Sequence, residues 1–325
     1  MFAYIVRRLL QAVPVVLVGS FLTFLMVSAA GNPLDALKAK QPPVAKSILD
    51  AEKHRLRLDQ PLLEQYWRWL TGLLRGDWGP SVNHVDIGHE IWQRLFVTVR
   101  LVVLAILLAL VLAVLIGVIS AVKRYSLIDY GFTFLGFVLL SMPAFWLAIL
   151  LKQQAINLNA TLGTDLLYTV GDRSIPSPSG FGNGLRDVLG HLALPTIVLA
   201  MTSFAPWSRY VRSSMIEVGQ SDYVRLARAK GLSRGRVLVR HALRTALIPL
   251  TTVVALDLAV LFSGAVITET VFQWRGMGDF LLSSIRDRDI YAVMAWLLVV
   301  SVIVIVFNLI ADLLYAVLDR RIRLA

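Results

Sequence analysis

The sequence contains no cysteine and carries few charged residues for its length. Of its 325 residues, only 16% are Asp, Glu, Lys or Arg, whereas 57% are hydrophobic. The absence of cysteine excludes disulfide bonds, thiolate metal ligands and a thiol nucleophile. Because soluble domains carry about 25% charged residues, the deficit of charge indicates a membrane protein with several spans.

Sequence signatures of catalysis are also missing. The chain has no G-x-x-x-x-G-K-[ST] stretch, which would cradle nucleotide phosphates, and no H-E-x-x-H or G-x-S-x-G motif. Two of its histidines, His84 and His89, lie close together, but their spacing does not suit one helical face. We therefore predict no catalytic residue, no metal site and no enzymatic activity for the chain alone.

Long hydrophobic runs, by contrast, are abundant. A membrane-spanning helix needs about 20 mainly apolar residues. Six stretches qualify, at residues 9–30, 97–122, 130–151, 192–207, 247–267 and 291–318. The fourth is the shortest and is bracketed by two prolines. The predicted fold class is an all-α polytopic membrane protein with six transmembrane helices.

The basic residues predict how the chain is oriented, since Lys and Arg are enriched in cytoplasmic loops. Arg7 and Arg8, the long loop at residues 208–246 and the C-terminal arginines fall on one side of a six-span arrangement. Both termini are therefore predicted to be cytoplasmic. The net charge of +11 is concentrated on that side, which indicates membrane topology rather than a nucleic-acid-binding surface.

The chain divides into three predicted parts. Residues 1–30 form the N-terminal tail and first span, which is longer than a secretory apolar core of about 7–15 residues and is expected to be retained. Residues 31–96 form an extracytoplasmic helical extension. Residues 97–325 form the membrane core, including the loop at 208–246. The Gly- and Pro-rich outer segment 152–190 is predicted to be a connector, with a lid as the alternative.

The extension has the pattern of helices that lie at a membrane surface or against the spans. In the stretch PLLEQYWRWLTGLLRG, an apolar stripe is formed by Leu63, Tyr66, Leu70, Leu73 and Leu74. Several tryptophans nearby suit a membrane–water boundary.

The basic loop itself predicts a short helix. Ser221 or Asp222 suits its N-cap, and Gly231 suits its C-terminal stop. One helical face is predicted to carry Tyr223, Leu226, Ala227 and Lys230. A second helix is predicted at about 234–247, beginning after Ser233. From the pattern alone, the loop could rest on anionic lipid headgroups or bind a soluble partner.

Several motifs of this chain resemble one family. The loop residues Asp222-Tyr223-Val224-Arg225, Ala227-Arg228-Ala229-Lys230-Gly231-Leu232-Ser233 and Arg240-His241-Ala242-Leu243-Arg244 are similar to the EAA loop of ATP-binding-cassette (ABC) importer permeases, in the branch for oligopeptides, dipeptides and nickel. Ser141-Met142-Pro143-Ala144-Phe145-Trp146, Glu269-Thr270-Val271-Phe272 and Asn308 with Asp312 to Tyr315 are similar to further motifs of that branch. The resemblance covers nearly the whole chain. It departs at Arg225, where the wider family has Glu, at Arg275 and Arg320, where the branch has Pro, and at Asp257.

The resemblance implies a type I ABC importer permease fold and a coupling role for the short helix. The residues implied to couple to an ATPase are Ser221, Asp222, Tyr223, Arg225, Leu226, Ala227, Arg228, Ala229, Lys230 and Gly231. The implied partners are a second homologous permease subunit, two ATPase subunits that bind ATP and magnesium, an extracytoplasmic substrate-binding protein and the lipid bilayer of a prokaryotic inner membrane. The implied activity is import of peptides by alternating access, with a nickel or other small-solute permease as the alternative.

Two carboxylates are candidates for the substrate pathway. Asp257 lies about ten residues into the fifth span, or roughly 15 Å along a helix, where it could attract a peptide amine or instead bond a neighbouring helix. Glu269 is expected at the outer mouth, as a gate or a contact for the binding protein. A self-contained carrier or channel and a membrane enzyme are the rival classes, and transport by the purified chain alone would distinguish the first of them.

Overall fold

In a computed structural model, which describes residues 2–176 and 178–318, the chain is helical. The elements in chain order are α1 (Phe2–Ala29), α2 (Asp35–Lys38), α3 (Lys46–Arg55), α4 (Leu62–Leu73), α5 (Ile87–Val122), α6 (Leu127–Ser141), α7 (Ala144–Leu162), α8 (Phe181–Gly219), α9 (Asp222–Ala229), α10 (Arg234–Arg236), a π-helix (Val237–Leu243), α11 (Arg244–Ala246), α12 (Ile248–Phe272), α13 (Met277–Arg286) and α14 (Ile290–Leu318). No strand occurs among these described residues.

The hydrophobic runs form helices of membrane-spanning length. Five described segments qualify by length and composition, namely Ile5–Ala29, Ile87–Val122, Phe181–Gly219, Arg234–Ala255 and Ile290–Ile310. The pair α6 and α7 qualifies as a sixth if its two halves form one broken span. The predicted all-α, multi-span fold class is thereby confirmed. The cytoplasmic placement of the termini stays a prediction, and residues 319–325 lie outside the described part.

The third predicted span, 130–151, is not one straight helix. The chain bends by 108° between α6 and α7, at the Met142–Pro143 step. Both residues are extended there, with ψ values of 126° and 137°. Pro143 favours the break, because a proline disfavours the α conformation of the residue before it.

The fourth span shows the opposite outcome for two other prolines. The prediction placed Pro195 and Pro206 as brackets of a short span at 192–207, but α8 runs through both and is 39 residues long. This helix packs against α6, α7 and α12. Packed neighbours compensate for the hydrogen bonds that a proline removes from a membrane helix, which the local sequence does not reveal.

The described chain forms two compact units, the first of which comprises residues 1–98 and 275–306. Its core contains Phe24, Tyr66, Trp69 and Met294. The Tyr66 hydroxyl lies 2.9 Å from Ser20 Oγ, so the extension is fixed to α1 by a buried hydrogen bond. This unit joins residues 275–306 to the N-terminal part, and the predicted division at residues 30 and 96 stays a prediction.

The apolar stripe predicted for α4 is partly wrong. Tyr66 and Trp69 are buried, but Leu63 and Leu74 are 68% and 89% exposed. The inward face of α4 is therefore rotated relative to the predicted one, and it buries Gln65, whose amide donates to the Gln60 carbonyl at 2.8 Å.

The second unit comprises residues 99–274 and 307–325. Its central helix is α8, which packs on α6, α7 and α12. At Gly117 in α5, an added Cβ would lie 2.7 Å from Val211 Cβ and 2.8 Å from the Ser208 carbonyl oxygen of α8. Glycine is required there because the two helices approach too closely for any side chain.

Within this unit, the loop between α7 and α8, which the predicted topology places outside and which we call the outer loop, is tied back to the helices. Arg100 Nη2 donates to an Asp172 carboxylate oxygen at 3.0 Å, and the Gly171 amide donates to the Phe272 carbonyl at 2.8 Å. The Tyr168 and His191 rings stack with centroids 4.1 Å apart. These contacts fit the predicted connector, held in one position, more closely than a free lid.

Candidate functional site: the basic loop and its short helix

The short helix predicted at 221–231 is present as α9. Ser221 occupies the N-cap position with extended backbone, and its carbonyl accepts the amides of Val224 and Arg225 at 3.1 Å. Its hydroxyl does not cap the helix, since it donates to the Val218 carbonyl at 2.6 Å instead. Asp222 lies in the first turn, where a carboxylate interacts favourably with the helix dipole.

The C-terminal stop at Gly231 is confirmed by its geometry. Gly231 has a left-handed φ of 78°. Its amide donates to the Arg228 carbonyl at 3.0 Å, and the Leu232 amide donates to the Ala227 carbonyl at 3.4 Å. This pair of bonds is the Schellman arrangement, which ends a helix sharply at a glycine.

The two faces of α9 differ from the predicted ones at a single residue. Val224 and Ala227 are 0% and 6% exposed and pack inward, whereas Tyr223 and Leu226 are 44% and 56% exposed. The prediction that Ala227 shares a face with Tyr223 is wrong. Residues 224 and 227 form an inward i, i+3 pair against the π-helix and the end of α8, so the outward apolar contacts are Tyr223 and Leu226.

The remaining predicted coupling residues surround this exposed pair. Arg225, Arg228, Ala229, Lys230 and Gly231 are all exposed, and Asp222 is fully exposed at its side chain. The Arg225–Asp222 ion pair is long, at 3.9 Å, and such exposed pairs add little stability. The outward surface of α9 is thus an aromatic and a leucine within a cationic rim.

The second predicted helix, 234–247, is helical but mostly of another type. Three α residues precede the π-helix Val237–Leu243, and α11 then leads to α12, where Pro249 lies in the first turn. Val237 and Ala242 are both 3% exposed. In an α-helix, residues five apart are offset by about 140°, whereas i→i+5 bonding places them together. The wider helix therefore buries both.

A buried ion pair that sequence reasoning missed fixes the base of this region. Arg212 of α8 donates from Nε and Nη2 to both carboxylate oxygens of Asp129 in α6, at 2.7 and 2.8 Å. Asp129 is 1% exposed and also accepts the Tyr125 amide at 2.9 Å. A buried carboxylate requires such partners. The two residues are 83 positions apart, so no local signal connects them.

The two pathway candidates both lie on α12. Asp257 of α12 accepts a hydrogen bond from Trp207 Nε1 of α8 at 2.6 Å, and Trp207 is fully buried. Asp257 therefore bonds a neighbouring helix, one of its two predicted roles, through an indole. Glu269 is 0% exposed. Its place at the outer mouth, as a gate or a contact for the binding protein, stays a prediction.

Among the described residues, no group of three or more His, Cys, Asp or Glu side chains is arranged to hold a metal ion.

Comparison with known families places this geometry in a class. The family described as "Binding-protein-dependent transport system inner membrane component" matches residues 113–324, and its N-terminal companion, described as "Binding-prot-dependent transport system membrane comp, N-term", matches residues 1–89. The chain belongs to this family of inner-membrane transport components. It is a multi-pass protein of the prokaryotic plasma membrane.

Individual relatives match the chain over nearly its full length. It is 38% identical over 322 residues to the oligopeptide transport system permease protein OppB of Mycobacterium tuberculosis, with 99% of each chain covered. It is 36% identical to the oligopeptide permease AppB of Bacillus subtilis, again with 99% of each covered. It is 37% identical to the dipeptide permease DppB of Alkalihalophilus pseudofirmus, covering 99% of this chain and 100% of the relative.

A solved structure confirms the fold at much lower sequence identity. A chain of the MetNI methionine ABC transporter, in inward-facing conformations, superposes with a TM-score of 0.55 at 14% identity, covering 71% of this chain and 96% of that one. The fold is that of type I ABC importer permeases.

Proposed function

We propose that the chain is the membrane-spanning subunit of an ATP-driven importer of oligopeptides or dipeptides. The substrate class is supported by relatives named as oligopeptide and dipeptide permeases, which match 99% of the chain at 36–38% identity. A nickel or other small-solute permease is the alternative outcome of an uptake assay.

The observation that carries the coupling proposal is the two-faced geometry of α9. Val224 and Ala227 pack α9 against its own chain, while Tyr223 and Leu226 remain exposed and can contact a partner. In this proposal two ATPase subunits bind ATP and Mg²⁺, and α9 fits a cleft on one of them. Closure of the ATPases displaces α9, and the rigid contacts of its inner face pass that displacement to α8 and α12.

Alternating access follows if the ATPase contact favours one of two permease states, since a contact indifferent to state shifts nothing. A second, homologous permease subunit supplies the other half of the pathway, and an extracytoplasmic binding protein delivers the substrate. The chain itself supplies no catalytic group.

The test of coupling uses the whole transporter, expressed in cells that lack their own peptide importer. Tyr223→Ala with Leu226→Ala removes the exposed pair and should lower peptide uptake at least about tenfold, because buried aromatic anchors in interfaces contribute about 2 kcal/mol or more. The matched control is Phe181→Ala with Leu185→Ala, an exposed aromatic and leucine at the other end of α8. It should retain uptake. Unchanged uptake in the first variant would show that α9 is not the coupling contact.

The role of Asp257 has its own test. Asp257→Asn keeps an oxygen that can accept the Trp207 hydrogen bond but removes the negative charge. If the carboxylate attracts the peptide amine terminus or basic side chains, uptake of cationic peptides should fall several-fold more than uptake of neutral ones. An equal effect on both would assign Asp257 to helix packing through Trp207.

A further inference from the structure

A cavity of about 580 Å³ lies behind α9. Its walls come from the ends of α5 and α8, from α9 itself and from the π-helix. This volume is within the range of about 300–1,000 Å³ that is usual for small-molecule sites. All of these elements belong to the second unit.

The polar part of the lining is cationic. Arg124, Arg228 and Arg234 line the cavity, and none of its lining residues is Asp or Glu. Within the described chain, neither Arg228 nor Arg234 makes an ion pair. The Asp129 carboxylate is bound by Arg212, and the Asp222 carboxylate is fully exposed and paired only weakly with Arg225. Guanidinium groups bind phosphate with bidentate geometry.

The rest of the lining is apolar. Val122, Met215 and Val237 contribute to it, and Met215 and Val237 are 4% and 3% exposed. A site for a free, fully hydrated anion would not need an apolar lining. A phosphate group attached to a glycerol and acyl chains satisfies both the arginines and the apolar surface.

The position of the cavity also fits a lipid. It lies at the ends of two long helices, α5 and α8, that qualify as membrane spans by length and composition. Basic clusters between spans on the cytoplasmic side bind anionic headgroups. We infer that this cavity binds the phosphate of an anionic phospholipid from the inner leaflet. The choice of leaflet rests on the proposed orientation, whereas the binding itself does not depend on transport.

Such a lipid would contact the inward side of α9 while the outward side contacts the ATPase. Val224 lines the cavity and is fully buried. The bound headgroup would therefore hold the coupling helix at a fixed distance from the ends of α5 and α8. The charge of the surrounding membrane would then influence how the helix is presented to its partner.

Native mass spectrometry of the delipidated full-length chain tests the inference. Phosphatidylglycerol and phosphatidylcholine are titrated separately, with inorganic phosphate as a competitor. Arg228→Gln with Arg234→Gln should weaken phosphatidylglycerol binding about tenfold or more, because a charge-assisted hydrogen bond contributes about 1.5–3 kcal/mol. The matched control, Arg225→Gln with Arg236→Gln, removes the same charge from the same two elements outside the cavity and should change the affinity less than about twofold.

Three results would overturn the inference. Equal losses in both variants would mean diffuse attraction to a basic surface. Displacement by inorganic phosphate at equal concentration would mean a site for a free anion. Displacement of the lipid by the ATPase subunits would mean that the cavity belongs to the protein interface. A photoactivatable phosphatidylglycerol supplies a second measurement in intact membranes, where its headgroup-proximal adduct should fall on Met215 or Val122 in the wild type and the control variant only.

Discussion

The outer loop at 163–180 and the basic loop at 220–233 use their polar groups in opposite ways, although both belong to the second unit. In the outer loop, Asp172, Gly171 and Tyr168 all have partners on the helices of the same chain. In the basic loop, the arginines and Lys230 are exposed, and the Arg225–Asp222 contact is long. A loop whose polar groups are bound within the chain is held in place, whereas a loop whose cationic groups are exposed is available to bind a partner.

The largest effect is expected at the buried Asp129–Arg212 pair, which joins α6 to α8, the helix that leads into the basic loop. Asp129→Asn removes the buried charge that Arg212 binds at two oxygens, and breaking a buried pair costs about 3–5 kcal/mol. The variant should lower the thermal unfolding temperature of the purified protein by several degrees, along with its yield.

Asp222→Asn is the matched control for this change, because its carboxylate is fully exposed. It should leave the unfolding temperature unchanged. If both variants behaved alike, the Asp129–Arg212 pair would not be the anchor. The double variant Asp129→Asn with Arg212→Gln would then be expected to show additive losses, rather than the smaller loss that a shared contact predicts.

A smaller effect is expected in the outer loop. Arg100→Gln leaves the Asp172 carboxylate, which is 10% exposed at its side chain, without its cation, and an unsatisfied buried group costs about 1–3 kcal/mol. Residues 163–180 should become more sensitive to limited proteolysis from the outer side. Arg173→Gln, an exposed neighbour, should leave proteolysis unchanged. A loop equally resistant in both variants would mean that Arg100 does not hold it.

The smallest effect on folding is expected at the end of α9. Gly231→Ala places a Cβ in open space but at a φ of 78°, which costs a non-glycine residue about 1 kcal/mol. Peptide-stimulated ATP hydrolysis by the whole transporter should fall, while the unfolding temperature shifts little. Gly231→Asp should impair coupling further, because it adds an acidic group beside the docking face. Full coupling in both variants would show that the sharp helix end is dispensable.

Much of this architecture could be predicted from local pattern. The six apolar runs and the stop at Gly231 follow from hydrophobicity and glycine placement. The family follows from motifs such as Ser141 to Trp146. The failures depend on the tertiary surroundings. Pro143 breaks a span while Pro195 does not, although both lie within apolar runs, because the outcome depends on which helices surround the proline.

The candidate site shows the same limit. The pattern located α9 and its basic rim, but it placed Ala227 outward, since the direction that a short helix faces is decided by the π-helix beneath it. Glu269 was expected at the outer mouth because its sequence position marks the end of a span. Its burial depends on packing that no local signal records. The coupling role of α9 and the pathway role of Asp257 stay predictions.

The close approach at Gly117 has a mechanical consequence. A β-carbon there would lie 2.7 Å from Val211 Cβ and 2.8 Å from the Ser208 carbonyl oxygen, so the α5 backbone packs directly on α8, with no side chain of its own between them. Such a contact deforms less than one made through long, flexible side chains. A small displacement of α8 near Gly219 would therefore be transmitted to α5 with little loss. A short movement at one end would then be enough to shift a long helix.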